Sequence, residues 1–165
     1  MAGIKVGDRA PEFALRAQDG EVVKLSDILR GGSAVVYFYP KDKTPGCTAE
    51  AGAFRDSYAK FGELGAEVVG ISSDSVDSHK GFASECQLPF KILSDQSGEV
   101  RKRFGVPSSM GILPGRVTYV IDRGGIVRYI FSSQLQATRH VQEALESLRA
   151  IGIKAEAEAA RKGET

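Results

Sequence analysis

Cys47 and Cys86 are the only thiols in this chain of 165 residues, and the first stands in a setting that activates sulfur. Cys47 closes the segment Pro40-Lys41-Asp42-Lys43-Thr44-Pro45-Gly46-Cys47. Thr44 is a good helix N-cap and Pro45 suits the first helical position, so Gly46 and Cys47 fall in the first turn, where amide N–H groups lack intrahelical partners. The partial positive charge there favours a thiolate, and thiols at such termini titrate at roughly 3.5–7.5 instead of about 8.5. A thiolate alone does not choose a substrate. Attack on a peroxide O–O bond also needs donors that hold both oxygens and stabilise the departing hydroxide or alkoxide. Thr44 can bring its hydroxyl to the sulfur's side of the helix entrance, and Pro40 can keep water and exposed backbone away from it. A fixed cation completes such a site, and Arg116 is the candidate. It starts a predicted strand after Pro114-Gly115, where central strands put their ends side by side.

The elements that must position these groups are legible in the pattern. Ala34-Val35-Val36-Tyr37-Phe38-Tyr39 is apolar, β-branched and aromatic, as a strand buried on both faces should be, and Pro40 ends it. Upstream, Phe13-Ala14-Leu15 and Val22-Val23-Lys24-Leu25 flank Asp19-Gly20, a two-residue turn signal, and predict an N-terminal hairpin. Ser26 is the expected cap of a short helical turn through Leu29, and Gly31-Gly32 breaks the chain before the buried strand. A helix is predicted from Thr44 to about Leu64, with Phe54, Tyr58 and Phe61 on one face as core. Ala66 to Ser72 reads as a second strand and Val76 to Cys86 as a helix; this order implies parallel pairing. Asp74-Ser75 reads as a helix cap, with binding at the sheet's carboxyl edge as the alternative. Phe90 to Leu93 is a short strand and Glu99 to Phe104 a short helix. Arg116 to Ile121 and Ile126 to Phe131 form a hairpin around Asp122-Arg123-Gly124-Gly125. The last helix, about Ala137 to Ala150, carries Val141, Ala144, Leu145 and Leu148 on its apolar stripe, leaving Arg139 and His140 for a solvated face. The sum is an α/β, thioredoxin-like plan: a mixed central sheet with two parallel strands and a hairpin, flanked by helices. It forms one domain over residues 1–152, with 153–165 as a frayed tail.

Composition narrows the function. The 42% hydrophobic content suits one ordinary core, and the net charge of +1, from 22 basic and 21 acidic residues, gives no reason to expect nucleic acid. No apolar run approaches the roughly 20 residues of a membrane span, and the first residues lack a secretory h-region. Two cysteines and two histidines, His79 and His140, lack the spacing of a zinc site.

Pro40-x-x-x-Thr44-x-x-Cys47 matches the peroxiredoxin active-site motif, and Gly115-Arg116-Val117-Thr118-Tyr119 is similar to the segment that carries that family's arginine. Gly7-Asp8-x-Ala10-Pro11-x-Phe13, Phe38-Tyr39-Pro40, Thr44-Pro45-Gly46-Cys47-Thr48 and Leu93-Ser94-Asp95 resemble the bacterioferritin-comigratory, or peroxiredoxin Q, branch. The resemblance covers nearly the whole chain. It implies a thioredoxin fold and thiol-dependent reduction of hydrogen peroxide and organic hydroperoxides through a sulfenic acid on Cys47. Pro40, Thr44 and Arg116 then complete the site, a thioredoxin-type donor recycles it, no metal or organic cofactor is needed, and the protein is a monomer or weak dimer. Many members carry a resolving cysteine five residues after the first; here that position is Gly52. Others carry it in the next helix, where Cys86 lies one turn beyond the usual position near Ala83. Positions 83 and 86 share a helical face. Cys86 is therefore the tentative resolving cysteine, with an external thiol as the alternative. A bridge requires Cα atoms within about 7 Å and local unwinding of both helices. Bacterial cytoplasm is the default location, and a processed plastid form is the alternative.

Two other functions fit a reactive thiol. A thiol-disulfide oxidoreductase on the same fold would want Cys-x-x-Cys, whereas the first position here is Thr44. A redox sensor or holdase would use oxidation of Cys47 to change partners.

Overall fold

An uninterrupted apolar strand must have both faces covered, and the run from Ala34 to Tyr39 lies at the heart of the sheet with every residue buried. The computed structural model describes residues 3–106, 108–109 and 113–163. Along the chain, strands β1 (Ala14–Ala17) and β2 (Val22–Lys24) lead into helix α1 (Leu25–Gly31) and the buried strand β3 (Ser33–Phe38). Helices α2 (Pro45–Asp56) and α3 (Tyr58–Glu63) precede β4 (Ala66–Ser72), α4 (Val76–Cys86), β5 (Lys91–Ser94) and α5 (Glu99–Phe104). A small ribbon of β6 (Ser108–Ser109) and β7 (Leu113–Pro114) is followed by β8 (Val117–Ile121), β9 (Val127–Ser132) and α6 (Arg139–Gly163). The seven-stranded main sheet runs β2-β1-β5-β4-β3-β8-β9. Strands β5, β4 and β3 are parallel, and β8, β9, β1 and β2 each run antiparallel to their neighbours.

Alternation along β3 divides the interior in two. Val35 and Tyr37, with Tyr39 just beyond, face α2, α4 and α6, where they meet Cys47, Phe54, Phe82 and Leu145. Ala34, Val36 and Phe38 face the other layer, with Leu25 of α1 and Phe104 of α5. The side holding Cys47 is tightly aromatic: Tyr37 stacks on Phe54 at 4.4 Å, and Phe54 touches Phe61 at 5.7 Å. Each such ring contributes roughly 1.5–3 kcal/mol by leaving water. Gly70, beside Tyr37 in the parallel pair, makes this possible, because a Cβ there would lie 2.7 Å from the tyrosine ring.

Several sequence expectations are corrected. The helix starting at Thr44 is two helices, broken at Ser57 (φ −104, ψ 5). Phe54 and Phe61 enter the core, while Tyr58 is half-buried because its hydroxyl must reach the Glu67 carboxylate at 2.8 Å. Among the described residues the parallel strands number three, since the short β5 joins β4. Ser26 lies inside α1 and does not cap it; Glu12 accepts from the backbone N–H groups of Phe13 and Ser26 instead. The β1–β2 connection is four residues, 18–21, with Asp19 accepting from Glu21 N–H. The last helix continues to Gly163, past the expected end at Ala150, as its Ala, Glu and Lys residues favour helix without an apolar stripe. Glu164 and Thr165, the end of the expected frayed tail, lie outside the described residues. Among the described residues, no helix is long and apolar enough to cross a membrane.

Candidate active site

The loop from Pro40 to Thr44 turns the chain from the end of β3 into α2, and a buried carboxylate holds it. Asp42 accepts from the Tyr39 hydroxyl through Oδ1 at 2.6 Å and from the Ser78 hydroxyl through Oδ2 at 2.9 Å, and His79 Nδ1 lies 2.6 Å from the same Oδ2. Its own backbone N–H donates to Asp74 at 2.8 Å, and His79 Nε2 donates to the Leu93 carbonyl at 2.9 Å. The end of β3, the turn before α4 and the start of α4 thus converge on one loop residue, and β5 holds its histidine partner. That anchorage sustains Lys43 at φ 66, a left-handed conformation that a non-glycine residue adopts only under constraint. Asp74 is engaged by this loop, and Ser75 caps α4 by accepting from Ser78 N–H at 3.1 Å.

Cys47 sits in the first turn of α2, as its spacing predicts, and is only 1% exposed. Arg116, just ahead of β8, is brought to it across the sheet. Its Nη2 donates to Cys47 Sγ at 3.5 Å, its Nη1 donates to Glu50 Oε1 at 2.6 Å, and its Nε donates to the Gln134 carbonyl at 3.4 Å. The guanidinium is therefore held from three sides with one nitrogen on the sulfur. Gly46 gives it room: a Cβ there would stand 2.9 Å from Nη2.

Thr44 occupies the N-cap position, with extended backbone and its carbonyl accepting from Thr48 N–H at 2.9 Å. Its hydroxyl does not cap the helix, which corrects the expectation. It donates to the Lys41 carbonyl at 2.9 Å, since the tight turn at Lys43 brings that carbonyl within reach. A hydroxyl whose proton is committed this way presents its lone pairs, so it can accept from the O–H of a peroxide. Pro40, half-buried, has no N–H to offer at this end of the strand.

Glu50 and His140 were not apparent as site residues. Glu50 lies three residues beyond Cys47, on the buried stripe Cys47, Glu50, Ala51, Phe54; a carboxylate among buried positions is the signal that could have found it. Burial pushes its carboxyl up to about 8, against the pull of Arg116. His140, read as part of a solvated face, is fully buried, whereas Arg139 does lie in solvent and pairs with Glu143. His140 Nε2 donates to the Ser133 carbonyl at 2.9 Å, its Nδ1 is 2.7 Å from the Thr118 hydroxyl, and Glu50 Oε2 is 3.6 Å from that same Nδ1. The reason for its burial is the hydrogen bonding: strand and loop supply partners for both ring nitrogens.

Cys86 is the last residue of α4 and belongs to the same apolar cluster as Cys47; both are free thiols. Burial raises the pKa of Cys86, with Arg55 opposing. Arg55 of α2 donates to the Cys86 carbonyl at 2.7 Å and so ties the two cysteine-bearing helices together. As for metals, Asp42, Asp74 and His79 bring ligand-type atoms within 4.8 Å of one another among the described residues. Both nitrogens of His79 are already hydrogen-bonded, so the cluster is a polar clamp on the loop.

A thiol buried beneath an arginine at the start of a helix, on a mixed sheet of this order, defines a thioredoxin-like redox protein. Residues 6–130 match the AhpC/TSA family, and the chain belongs to it: it is a peroxiredoxin, an oxidoreductase acting as a thiol-dependent peroxidase. The chain is 52% identical over 149 residues to the chloroplastic peroxiredoxin Q of Oryza sativa subsp. japonica, covering 90% of this chain and 68% of that one. Among solved structures, it superposes on the peroxidoxin BcpB of Mycobacterium tuberculosis with a TM-score of 0.84, at 40% identity, covering 90% of this chain and 98% of the other. The bacterioferritin comigratory protein of Xanthomonas campestris, studied for its alkyl peroxide reduction activity, gives a TM-score of 0.77 at 28% identity, covering 84% and 90% of the two chains.

Proposed function

We propose that Cys47 is the peroxidatic residue and that Pro40, Thr44 and Arg116 form its peroxide pocket, acting on hydrogen peroxide and organic hydroperoxides. The observation that carries this reading is Arg116 Nη2 at 3.5 Å from Cys47 Sγ, with Nη1 held by Glu50. The thiolate attacks one peroxide oxygen; an S–O bond forms, the O–O bond breaks, and the leaving oxygen takes a proton from solvent to depart as water or alcohol. Sulfur is oxidised by two electrons to sulfenic acid, and the peroxide is reduced by the same two. Arg116 donates to the oxygens as charge moves from sulfur to the leaving group, while Thr44 accepts from the peroxide O–H. The alkyl peroxide activity studied in the Xanthomonas campestris protein supports organic hydroperoxides as substrates.

Cys86 then resolves the intermediate: its sulfur attacks the Cys47 sulfenic sulfur, the S–S bond forms as the S–O bond breaks, the leaving hydroxide takes up the proton that the Cys86 thiol gives up and departs as water, and a thioredoxin dithiol reduces the disulfide. Its place at the last turn of α4 supports this, because only that turn and the start of α2 need to open. The protein acts as a monomer or weak dimer, and the chloroplastic names of the plant relatives favour the plastid location over the cytoplasmic one.

Stopped-flow oxidation by hydrogen peroxide tests the first step. The parent protein should react orders of magnitude faster than a free thiol, and Cys47→Ser should not react; a slow parent, or a preference for disulfides over peroxide, overturns it. Mass spectrometry after one equivalent of peroxide tests the second. A Cys47–Cys86 bridge is the expected product, and a Cys86→Ser protein that turns over at the parent rate with thioredoxin eliminates Cys86 as resolver.

A further inference from the structure

The last turn of α4 is held from a second helix. Cys86 ends α4, where carbonyl groups lack intrahelical partners, and its own carbonyl accepts from Arg55 Nη1 at 2.7 Å. Arg55 is the penultimate residue of α2, so the bond joins the far end of the helix that carries Cys47 to the turn that carries Cys86. The guanidinium is seated for this. Its Nε donates to Asp56 Oδ1 at 3.0 Å, and Gly52, one turn earlier, is the floor it lies on, with Nη2 3.5 Å from where a Cβ would stand. Directly after Cys86, Gln87 is held in the left-handed region at φ 52, which a residue with a Cβ adopts only under constraint. The N–H groups of Gln87 and Leu88 close the helix on the carbonyls of Ser84 and Ala83, at 3.2 and 3.0 Å. Lys43 Nζ lies 3.8 Å from Glu85 in the same turn, but both side chains are more than half exposed, so that pair contributes little. The turn is thus a strained hinge at Gln87, closed by a short, charge-assisted bond from Arg55.

We propose that Arg55 is a positioning residue for resolution: it latches the Cys86 turn of α4 to α2, and release of this latch sets the rate at which Cys86 reaches the sulfenic acid on Cys47. The inference rests on the reading of Cys86 as the resolving thiol. Cys47 is buried in the first turn of α2 and Cys86 in the last turn of α4, so their bridge forms from a conformation in which both turns have opened. The rate is then the fraction of molecules with the turns open multiplied by the rate of sulfur attack from that state. The Arg55 bond exists only in the closed turn, whereas the constraint on Gln87 is relieved in the open one. Losing the arginine therefore raises the open fraction by the net worth of one hydrogen bond, roughly 3- to 10-fold. Position confines the effect to this step. Arg55 lies about 12 Å from Cys47 along α2, at 1.5 Å per residue, at the opposite end from the turn that faces Arg116. Burial raises the pKa of the Cys86 thiol and the Arg55 charge opposes it; at alkaline pH, where the thiol is ionised in every variant, only the opening differs.

Arg55→Met keeps the bulk of the side chain and removes its donors and charge. Reduced protein is mixed with one equivalent of hydrogen peroxide, quenched with acid at intervals and alkylated, and the Cys47–Cys86 bridge is followed by mass spectrometry on the alkaline plateau of its rate. Relative to Cys47 oxidation in the same samples, the bridge should form roughly 3- to 10-fold faster in Arg55→Met than in the parent. Amide hydrogen exchange of the reduced proteins reads the latch without the chemistry. The N–H groups of Gln87 and Leu88 should exchange faster by the same factor, because exchange and resolution pass through the same opened turn. Tyr129→Phe loses a bond to Glu143 far from this turn and should move neither quantity, as a general loss of stability is not the cause. Arg55→Lys keeps a charged donor and should lie closer to the parent in both; should Arg55→Met not fold, it carries the comparison with a smaller shift of the same sign. A bridge that forms no faster without Arg55, or equal shifts in Tyr129→Phe, overturns the proposal. A parent protein that never forms the bridge overturns the role of Cys86, whereas unmoved exchange at Gln87 and Leu88 with the bridge intact overturns the latch alone, so the two failures are distinguishable.

Discussion

Replacing Gly46 with alanine should slow peroxide reduction without weakening the fold. The added Cβ would stand 2.9 Å from Arg116 Nη2 and 3.7 Å from Cζ. Ordinary contact begins near 3.4 Å, so Nη2 must retreat by about half an ångström, and Glu50 and Gln134 restrain the rest of the side chain against following freely. The bond from Nη2 to Cys47 Sγ is already 3.5 Å long, and the retreat breaks it. A hydrogen bond involving a charged group contributes about 1.5–3 kcal/mol, which converts to a rate lower by roughly 10- to 150-fold. Stability should move the other way, because alanine is the better helix former by up to about 1 kcal/mol. Stopped-flow oxidation of the reduced proteins by hydrogen peroxide, paired with urea unfolding, reads both quantities. A rate within about threefold of the parent, at an undiminished urea midpoint, would refute the argument that Arg116 governs the reaction from this position.

Glu50 also sets a pH dependence of stability. Its carboxyl is raised from 4.5 to about 8 in the fold, so between those values the folded protein holds a proton that the unfolded chain has released. The contribution is fully present below the unfolded value and is lost as pH rises through the folded one, at up to about 1.4 kcal/mol per pH unit. Urea unfolding of Glu50→Gln should therefore gain on the parent by about 3 kcal/mol between roughly pH 5.5 and pH 8, and parallel curves would contradict the buried acid. Asp42→Asn should lower stability by about 1–3 kcal/mol, because an amide cannot accept at both ends from the Tyr39 and Ser78 hydroxyls and meet His79, and should slow peroxide oxidation as the loop before Cys47 loses its anchor. A urea midpoint close to the parent's would show that the Asp42–His79 pair does not hold the loop.

Local patterning made most of the backbone legible. The apolar run at Ala34 to Tyr39 and the Asp74-Ser75 cap placed β3 and α4 within a residue or two. Cys47 in its helical turn and Arg116 across the sheet were legible through the Thr-Pro cap and the short strand after Pro114-Gly115. What was not legible depends on partners far apart in sequence. Periodicity puts Glu50 on a buried stripe but does not say that Arg116 will be waiting there. His140 sits next to Val141 on α6, at the margin of the apolar stripe, and only the arrival of Thr118 and Ser133 turns that margin inward. The hydroxyl of Thr44 went to Lys41 in place of the helix because Lys43 adopts a left-handed conformation, which a lysine does not announce.

The two buried polar networks divide the work along α4 and α2. Asp42 holds the loop before Cys47 through Ser78 and His79, in the first turns of α4, whereas Cys86 ends the same helix, about 10 Å further along its axis at 1.5 Å per residue. Opening the last turn of α4 breaks the Arg55 bond to the Cys86 carbonyl and the capping bonds from Gln87 and Leu88 to Ala83 and Ser84, and leaves the Asp42 anchor intact. On α2, by contrast, Cys47 and Glu50 share the first turns, so moving the sulfur toward Cys86 removes it from Arg116. On the proposed reading, in which Cys86 resolves, α4 can fray at its Cys86 end while its other end keeps the loop before Cys47 shaped. On the same reading, attack by Cys47 and its resolution by Cys86 require mutually exclusive conformations of the first turn of α2.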